Sequence, residues 1–262
     1  GFIDLHSHAD WILPLAEHDR ILAPLLLQGI TTVVGGNCGF SPAPARAEAA
    51  QALDDFSESL RDRAFPYEWR SMAEFMAAME GQGLLLNAAF LVGHGTLRTL
   101  VMGEGAGLPG PGQLEAMCDL ARQALRDGAF GFSAGLAYAP GVFARNDELL
   151  ALLRTTADEG GVFTVHGRAY SWVSPFYRPM FLGAAHNLRS TRELLGLAKE
   201  AGVRLQLSHL IFVGRRTWRT HRSVLREVER AVDGGLDVGF DAFPYTVGNT
   251  TIKVVFPEWF LD

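Results

Sequence analysis

The chain has 262 residues, of which 48% are hydrophobic and 20% are charged, so it is long enough to fold as one large domain around a sizeable core. Its net charge of -6 argues against nucleic acid or an anionic membrane as a partner. Two cysteines are too few for a disulfide framework and no stretch approaches the roughly 20 apolar residues of a membrane span, so we predict a cytoplasmic protein with reduced thiols.

Short apolar runs alternate with helical patterns along the whole chain. Seven of these runs are predicted to be strands, at residues 1–6, 31–36, 86–93, 129–133, 162–166, 204–208 and 236–240. The runs are nearly continuous in apolar residues, which is typical of parallel strands that are buried on both faces. Helices are predicted in the intervening stretches "PGQLEAMCDLARQALRDG", "NDELLALLRTTADEGG", "STRELLGLAKEAG" and "RSVLREVERAVDGG", each of which ends on glycine.

This alternation is compatible with an open, doubly wound α/β sheet or with a closed (β/α)8 barrel. Neither GxGxxG nor GxxxxGK[ST] occurs, which removes the best evidence for a nucleotide-binding open sheet. Residues that can bind metals instead follow the strands, where barrel active sites are built. We therefore predict an α/β fold, a TIM-like (β/α)8 barrel over residues 1–262 that is incomplete, with about seven strands present. The start at Gly1 without a methionine leads us to expect a piece of a longer protein, whose eighth strand lies beyond Asp262.

A long segment separates the second predicted strand from the third. We predict that residues 39–85 form an insertion, because this segment contains Pro42, Pro44 and Pro66 beside one amphipathic stretch, "SMAEFMAAMEG". Long insertions after barrel strands often cover the active site.

Four histidines and one cysteine fall at predicted strand ends. His6 and His8 are two residues apart, so both side chains point to the same face of their strand. Cys38 follows the second strand, and its thiolate is a strong zinc ligand. His166 and His209 end the fifth and sixth strands. Since four strands deliver these side chains to one end of one barrel, we predict a metal site there.

The other histidines and the second cysteine are predicted to have structural or surface roles. Cys118 lies in the apolar stripe of a helix and is expected in the core. His18, His186 and His221 occur in helix-like or loop-like contexts. His94 is intermediate, because it ends the third strand at the active-site end but is flanked by glycines that suggest a close backbone approach.

Several motifs resemble one family. "GFIDLHSHAD" resembles the first strand of the amidohydrolase superfamily. Six further motifs resemble the N-acyl-D-amino-acid deacylase (D-aminoacylase) branch of this superfamily, and they occur in the family's order along the whole chain. They are "GITTVVGGNCGFSPAP", "FLVGHGTLR", "GAFGFSAGLAYAPG", "VHGR", "LQLSHL" and "DAFPY". The cysteine of "GNCG" is the most specific element, because most amidohydrolases lack a cysteine ligand there.

The resemblance implies a zinc-dependent hydrolase. It implies that Cys38, His166 and His209 hold a tightly bound Zn²⁺ and that His6 and His8 form a second, weaker site. It also implies cleavage of the amide bond of a small molecule, an N-acyl-D-amino acid, by metal-activated water, which yields a carboxylate and a free D-amino acid.

The family places its general acid/base, an Asp, at the end of the eighth strand, which we expect beyond residue 262. Asp241 ends the seventh strand and does not match that position. We therefore assign no catalytic acid/base within the sequence and expect that the chain alone is inactive.

Two residues are expected on the substrate side. Arg168 and Tyr245 match family motif positions, and a substrate carboxylate needs a cation or hydroxyl donors. Ile211 stands where the family usually has lysine, and the aromatic loop "SWVSPFYRPMFLGAAHN" follows the fifth strand. These departures lead us to expect a larger or more apolar acyl or side-chain group.

Two alternatives remain beside the deacylase. One is a cyclic-amide hydrolase of the dihydroorotase or hydantoinase kind, against which Cys38 and the lack of a lysine at the end of the fourth strand both argue. The other is a non-catalytic barrel, with or without metal. An aspartate at the end of an eighth strand would favour an enzyme over this binding or scaffold protein.

Overall fold

Seven parallel strands form one sheet in a computed structural model of the chain, which describes residues 1–61, 65–103 and 105–261. The strands are β1 (Phe2–Asp4), β2 (Ile30–Gly35), β3 (Asn87–Gly93), β4 (Gly131–Gly135), β5 (Val162–His166), β6 (Arg204–Leu207) and β7 (Val238–Phe240). Each strand pairs in parallel with the next one along the chain. All seven predicted strands are confirmed, and the edge strands β1 and β7 are shorter than predicted.

The sheet curls instead of lying flat. His6 follows β1 and His209 follows β6, and four strands lie between β1 and β6 in the sheet. The ring centroids of these two histidines are nevertheless only 4.6 Å apart. Parallel strands with a right-handed twist and helices on the outside curl in this way. The described residues therefore form an open, TIM-like part-barrel, which confirms the predicted fold class.

Helices connect the strands. They are α1 (His18–Leu27), α2 (Ala50–Ser57), α3 (Met72–Gln82), α4 (His94–Met102), α5 (Pro111–Arg126), α6 (Asn146–Asp158), α7 (His186–Ala201), α8 (Arg215–Trp218), α9 (His221–Asp233) and α10 (Glu258–Leu261). The four predicted helices that end on glycine correspond to α5, α6, α7 and α9. Among the described residues, no helix is long and apolar enough to cross a membrane.

The segment between β2 and β3 contains α2 and α3. Phe75 of α3 is fully buried, and its ring packs against Phe90 of β3 with centroids 4.8 Å apart. Trp69, shortly before α3, is bound to the segment that follows β2, because its indole Nε1 donates a hydrogen bond to the carbonyl oxygen of Pro42 at 2.7 Å. The predicted amphipathic stretch is thus α3, which occupies the crossover position between β2 and β3.

Candidate metal centre

The carboxyl ends of four strands bring together three histidines and a cysteine. His166 is the last residue of β5, while His6, Cys38 and His209 closely follow β1, β2 and β6. The Sγ atom of Cys38 lies 3.3 Å from Nε2 of His6 and 3.8 Å from both Nδ1 of His166 and Nε2 of His209. The last two nitrogens are 2.9 Å apart. Four donor atoms therefore face one small space.

The "GNCG" turn aims Cys38 into that space. Cys38 has a left-handed backbone with φ 57°, and its neighbours Gly36 and Gly39 have φ 81° and 80°. A Cβ on Gly36 would lie 2.1 Å from the carbonyl oxygen of Leu91, so only glycine allows this approach to β3. The hydroxyl of Ser133 in β4 accepts a hydrogen bond from the Gly39 amide at 3.0 Å and donates to the Gly36 carbonyl. The turn therefore packs closely against β3 and is hydrogen-bonded to β4.

His209 also has an uncommon backbone conformation, with φ 34°. One carboxylate oxygen of Asp241 accepts a hydrogen bond from the His209 amide at 2.6 Å, and the other accepts one from Nε2 of Gln206 at 2.9 Å. Among the described residues, His209 and Cys38 are the two non-glycine residues with positive φ. Such a conformation costs about 1–3 kcal/mol and concentrates at functional sites, which is consistent with a role for both side chains in binding.

The local electrostatics keep the imidazoles neutral. Burial, with His209 and His8 nearby, lowers the pKa of His6 to about 2. Burial and the neighbouring His209 lower the pKa of His8 to about 4, and burial also lowers the pKa values of His166 and His209. Neutral imidazole is the form that binds metals. Burial raises the pKa of the Cys38 thiol, so metal binding has to displace its proton.

The donor set fits zinc. Tetrahedral coordination with Zn–S of about 2.3 Å and Zn–N of about 2.0 to 2.1 Å places sulfur and nitrogen donors about 3.6 Å apart and two nitrogens about 3.3 Å apart. The observed sulfur–nitrogen separations of 3.3 and 3.8 Å lie on either side of the first value, and the observed nitrogen–nitrogen separation of 2.9 Å is shorter than the second. The donor atoms of His6, Cys38 and His209 all lie within 4.8 Å of one another.

Unsatisfied nitrogens mark the same region. Nδ1 atoms of His6, His8 and His209 are buried and find no hydrogen-bond partner among the described residues. His8 adjoins the cluster, since its ring centroid is 5.6 Å from that of His6 and 6.3 Å from that of Phe40. The structure therefore gathers all five predicted metal ligands at one end of the sheet, with His8 at the margin.

Tyr138 is a candidate functional residue that the sequence analysis missed. Its hydroxyl lies 3.3 Å from Nδ1 of His166, which is a donor atom of the cluster, and 3.3 Å from the hydroxyl of Thr250. Burial raises the pKa of Tyr138, so its hydroxyl remains a neutral donor. Its position shortly after β4, in "GLAYAPG", was the available signal, because strand ends supply the other site residues.

Tyr170 covers the cluster from another side. Its ring centroid is 4.9 Å from that of His166 and 5.2 Å from that of His209. Its hydroxyl accepts the Gly167 amide at 2.8 Å and donates to the Ser208 carbonyl at 3.0 Å. Its polar atom is thus committed to the backbone, and the ring supplies an apolar wall.

The two predicted substrate-side residues lie in different surroundings. Tyr245 is 70% exposed, and its ring centroid is 6.3 Å from that of Phe243, which in turn is 6.4 Å from that of His209. Arg168 is buried, and its guanidinium group donates to Glu193 and to two backbone carbonyls. Tyr245 is therefore an exposed residue beside Phe243, which is the nearer of the two to His209, whereas Arg168 points into the protein.

The remaining histidines have structural partners. His94 is fully buried, and its Nε2 lies 2.7 Å from the Glu148 carboxylate. His18 and His186 are also buried and contact Leu15 and Ser174 through hydrogen bonds. His221 is exposed at the start of α9. Cys118, which is predicted to lie in the core, is half-buried and packs against the edge of the core.

Two curated relatives align with nearly the whole chain. A D-aminoacylase and an N-acyl-D-glutamate deacylase, both from Alcaligenes xylosoxydans xylosoxydans, are 33% and 36% identical over 97% of the chain. The alignment covers 48% of each relative, so the chain spans about half the length of the curated relatives it matches. No protein-family model matches the sequence.

Solved structures agree with these relatives. An N-acyl-D-glutamate deacylase from Bordetella bronchiseptica, complexed with zinc and a phosphonate that mimics the tetrahedral intermediate, matches with a TM-score of 0.80 and 32% identity. The match covers 94% of this chain and 47% of that one. A D-aminoacylase described as having a binuclear metal centre, with one-metal activation and second-metal attenuation, matches with a TM-score of 0.78, 30% identity and the same coverage.

Proposed function

Because this chain belongs to the D-aminoacylase subset of the amidohydrolases, we propose that the protein hydrolyses the amide bond of N-acyl-D-amino acids to a carboxylate and a free D-amino acid. The observation that carries the proposal is the convergence of Cys38 Sγ with ring nitrogens of three histidines at the carboxyl end of the sheet. This donor set suits Zn²⁺, and barrel active sites lie at this end.

Two sets of residues would hold the metal. Cys38, His166 and His209 would bind one Zn²⁺ tightly, and His6 and His8 would form a second, weaker site beside it. When bound, Zn²⁺ lowers the pKa of a water molecule to about 7 and polarises the amide carbonyl of the substrate. The low pKa values of the buried histidines support this role, because neutral imidazoles keep a free lone pair.

Tyr138 supplies a hydrogen-bond donor for the reaction. Its hydroxyl lies beside a donor atom of His166, so it can donate to the amide oxygen as negative charge develops there. Tyr245 is exposed beside Phe243 and serves as a donor to the substrate. The carboxylate of Asp241 is engaged by His209 and Gln206, so we do not assign it as the general acid/base, which the resemblance places at the end of an eighth strand.

Substrate preference is expected to lie with the loop after β5. Residues 170–187 contribute Tyr170 to the wall of the cluster and carry further aromatic side chains, while Ile211 offers no charge near His209. These features favour bulky or apolar acyl or side-chain groups. The unpaired Cys38 and Cys118 are consistent with a cytoplasmic enzyme.

The test is metal analysis and activity of the full-length protein. We expect about one tightly held zinc per chain, lost in Cys38→Ala and retained in the matched variant Cys118→Ala. We also expect N-acyl-D-amino acids to be hydrolysed faster than their L-enantiomers, and bulky N-acyl groups to be cleaved faster than N-acetyl groups.

A folded wild-type protein that holds no zinc, or a Cys38→Ala variant that binds zinc as tightly as wild type, would contradict the metal assignment. Equal turnover of D- and L-substrates would contradict the proposed substrate class. A clear preference for small acetylated substrates would contradict only the expected role of the aromatic loop.

A further inference from the structure

The loop that follows β4 presents Tyr138 to the metal centre. Residues 136–144, here called the Tyr138 loop, are buried except for the half-buried Tyr138 and Ala139. The Val142 amide donates to the Tyr138 carbonyl at 2.8 Å, and the Leu136 amide donates to the His166 carbonyl at 2.9 Å. The backbone position of Tyr138 therefore depends on Val142, four residues further along the chain.

Arg168 binds this loop from the neighbouring strand end. Its Nη1 donates to the Val142 carbonyl at 3.0 Å and its Nη2 to the Ala144 carbonyl at 2.5 Å. Its Nε donates to Glu193 Oε1 at 3.0 Å. Each of the three guanidinium nitrogens thus has an acceptor within the protein, and Arg168 is only 7% exposed.

Glu193 of α7 holds the guanidinium group in place. Its second carboxylate oxygen accepts a hydrogen bond from the hydroxyl of Tyr177, in the loop after β5. The planar guanidinium can satisfy one carboxylate and two carbonyls at once, which the single ammonium of lysine cannot do with the same geometry. The network therefore connects α7 and the loop after β5 to the Tyr138 loop.

From these contacts we propose that Arg168 is a positioning residue that holds the Tyr138 hydroxyl at the metal centre and does not bind the substrate carboxylate. The path runs from the guanidinium group through the Val142 peptide to the Tyr138 carbonyl. The inference rests on the proposed function only in so far as Tyr138 assists the reaction. It departs from the sequence-based expectation for Arg168 because the guanidinium group is buried and its nitrogens are engaged.

The kinetic test uses the full-length, zinc-loaded protein with Arg168→Lys, Tyr138→Phe and the double variant. We expect Tyr138→Phe to lower kcat about 100-fold, as loss of an oxyanion donor does. Arg168→Lys should lower kcat about 10-fold with KM changed less than about twofold, because the donor is displaced but the ground state is bound as before. In the Tyr138→Phe background, Arg168→Lys should change kcat less than about twofold.

The matched control is Arg192→Lys, since Arg192 also pairs with a glutamate, Glu227, but on the exposed side of α7. It should leave kcat and KM unchanged. A rise in KM at constant kcat in Arg168→Lys, or effects that multiply in the double variant, would overturn the proposal. Loss of zinc from Arg168→Lys would also overturn it, because the residue would then act through His166.

Amide hydrogen exchange tests the same contacts without relying on activity. Exchange within residues 136–144 should be faster in Arg168→Lys than in wild type and unchanged in Arg192→Lys, with α5 as an internal reference for folding. If Arg168→Lys does not fold, Glu193→Gln should show the same effects at smaller size. Unaltered exchange in the Tyr138 loop of Arg168→Lys would overturn the proposal. If the wild-type protein cleaves no N-acyl-D-amino acid, the proposed function is refuted, and the exchange experiment alone then decides whether Arg168 positions the Tyr138 loop.

Discussion

At the scale of single residues, the candidate metal centre depends on backbone conformations that non-glycine residues rarely adopt. His209 has a positive φ, and Asp241 stabilises this geometry by accepting the His209 amide through one carboxylate oxygen. Asp241 thus orients a candidate ligand through its backbone amide, as the hydrogen-bond partners of metal ligands commonly do.

Removal of this carboxylate should weaken zinc binding. In Asp241→Ala the His209 amide loses its acceptor and the strained backbone is free to relax, so we expect zinc affinity to fall about 10- to 100-fold. Competition with a chromophoric chelator measures the dissociation constant. Asp237→Ala is the control, because Asp237 is exposed before β7. An unchanged zinc affinity in Asp241→Ala would show that His209 keeps its position without the carboxylate.

At the scale of secondary-structure elements, a buried charged network joins α4 to α6. Glu148 of α6 accepts Nη1 of Arg98 at 2.6 Å and lies 2.7 Å from Nε2 of His94, and all three side chains are almost completely buried. The pKa of Glu148 is lowered overall. Burial alone would raise this pKa, but the hydrogen bonds and the charges of His94 and Arg98 outweigh the effect of burial. The network therefore explains His94 as a structural residue at the active-site end of the sheet.

Breaking this network should be costly. Glu148→Gln leaves the buried Arg98 without a counter-charge, so we expect the free energy of unfolding to fall by about 3–5 kcal/mol. The exposed pair Arg154–Glu200 provides the control, because Glu200→Gln should cost less than about 1 kcal/mol. Denaturant titration measures both changes. Similar losses in the two variants would contradict a special role for the buried network.

The same network makes a prediction about pH. Because the folded-state pKa of Glu148 is below its unfolded value of about 4.3, its contribution to stability is present above that pH and is lost as the pH falls through the folded-state pKa. Wild type should therefore lose more stability than Glu148→Gln on acidification below about pH 4.3. Unfolding midpoints at a series of pH values test this, and parallel losses in the two proteins would contradict it.

At the scale of the whole molecule, the sequence predicts which residues form the candidate site better than it predicts the contacts that hold those residues in position. The strand ends are readable because continuous apolar runs stop at His6, Cys38, His166 and His209. Parallel strands place their carboxyl ends together, so the topology predicts which residues meet, although it does not predict the positive φ of Cys38 and His209. Arg168 is different, because its acceptors Val142, Ala144 and Glu193 are distant in sequence. Contacts of this kind depend on loop conformations that no local pattern specifies.

If zinc binds the candidate cluster as proposed, zinc and protons compete for the same side chains, and the stability of the fold should depend on both. The folded-state pKa values of His6 and His8, about 2 and about 4, lie below their unfolded value of about 6.5. Between these limits the unfolded chain binds more protons, so stability falls as the pH falls, by up to about 1.4 kcal/mol per pH unit for each histidine. Zinc binds only the deprotonated donors and stabilises the folded state by mass action.

We therefore expect the increase in Tm caused by zinc to grow as the pH rises from about 6 to about 7.5, because zinc binding has to displace the proton of the buried Cys38 thiol. Thermal unfolding of metal-free and zinc-loaded protein across this range measures the effect. The increase should be reduced at every pH in His209→Gln and retained in His221→Gln, because His221 is exposed on α9, away from the cluster. A zinc-induced increase that does not depend on pH would mean that zinc binds outside the buried donors, since exposed carboxylates titrate well below this range.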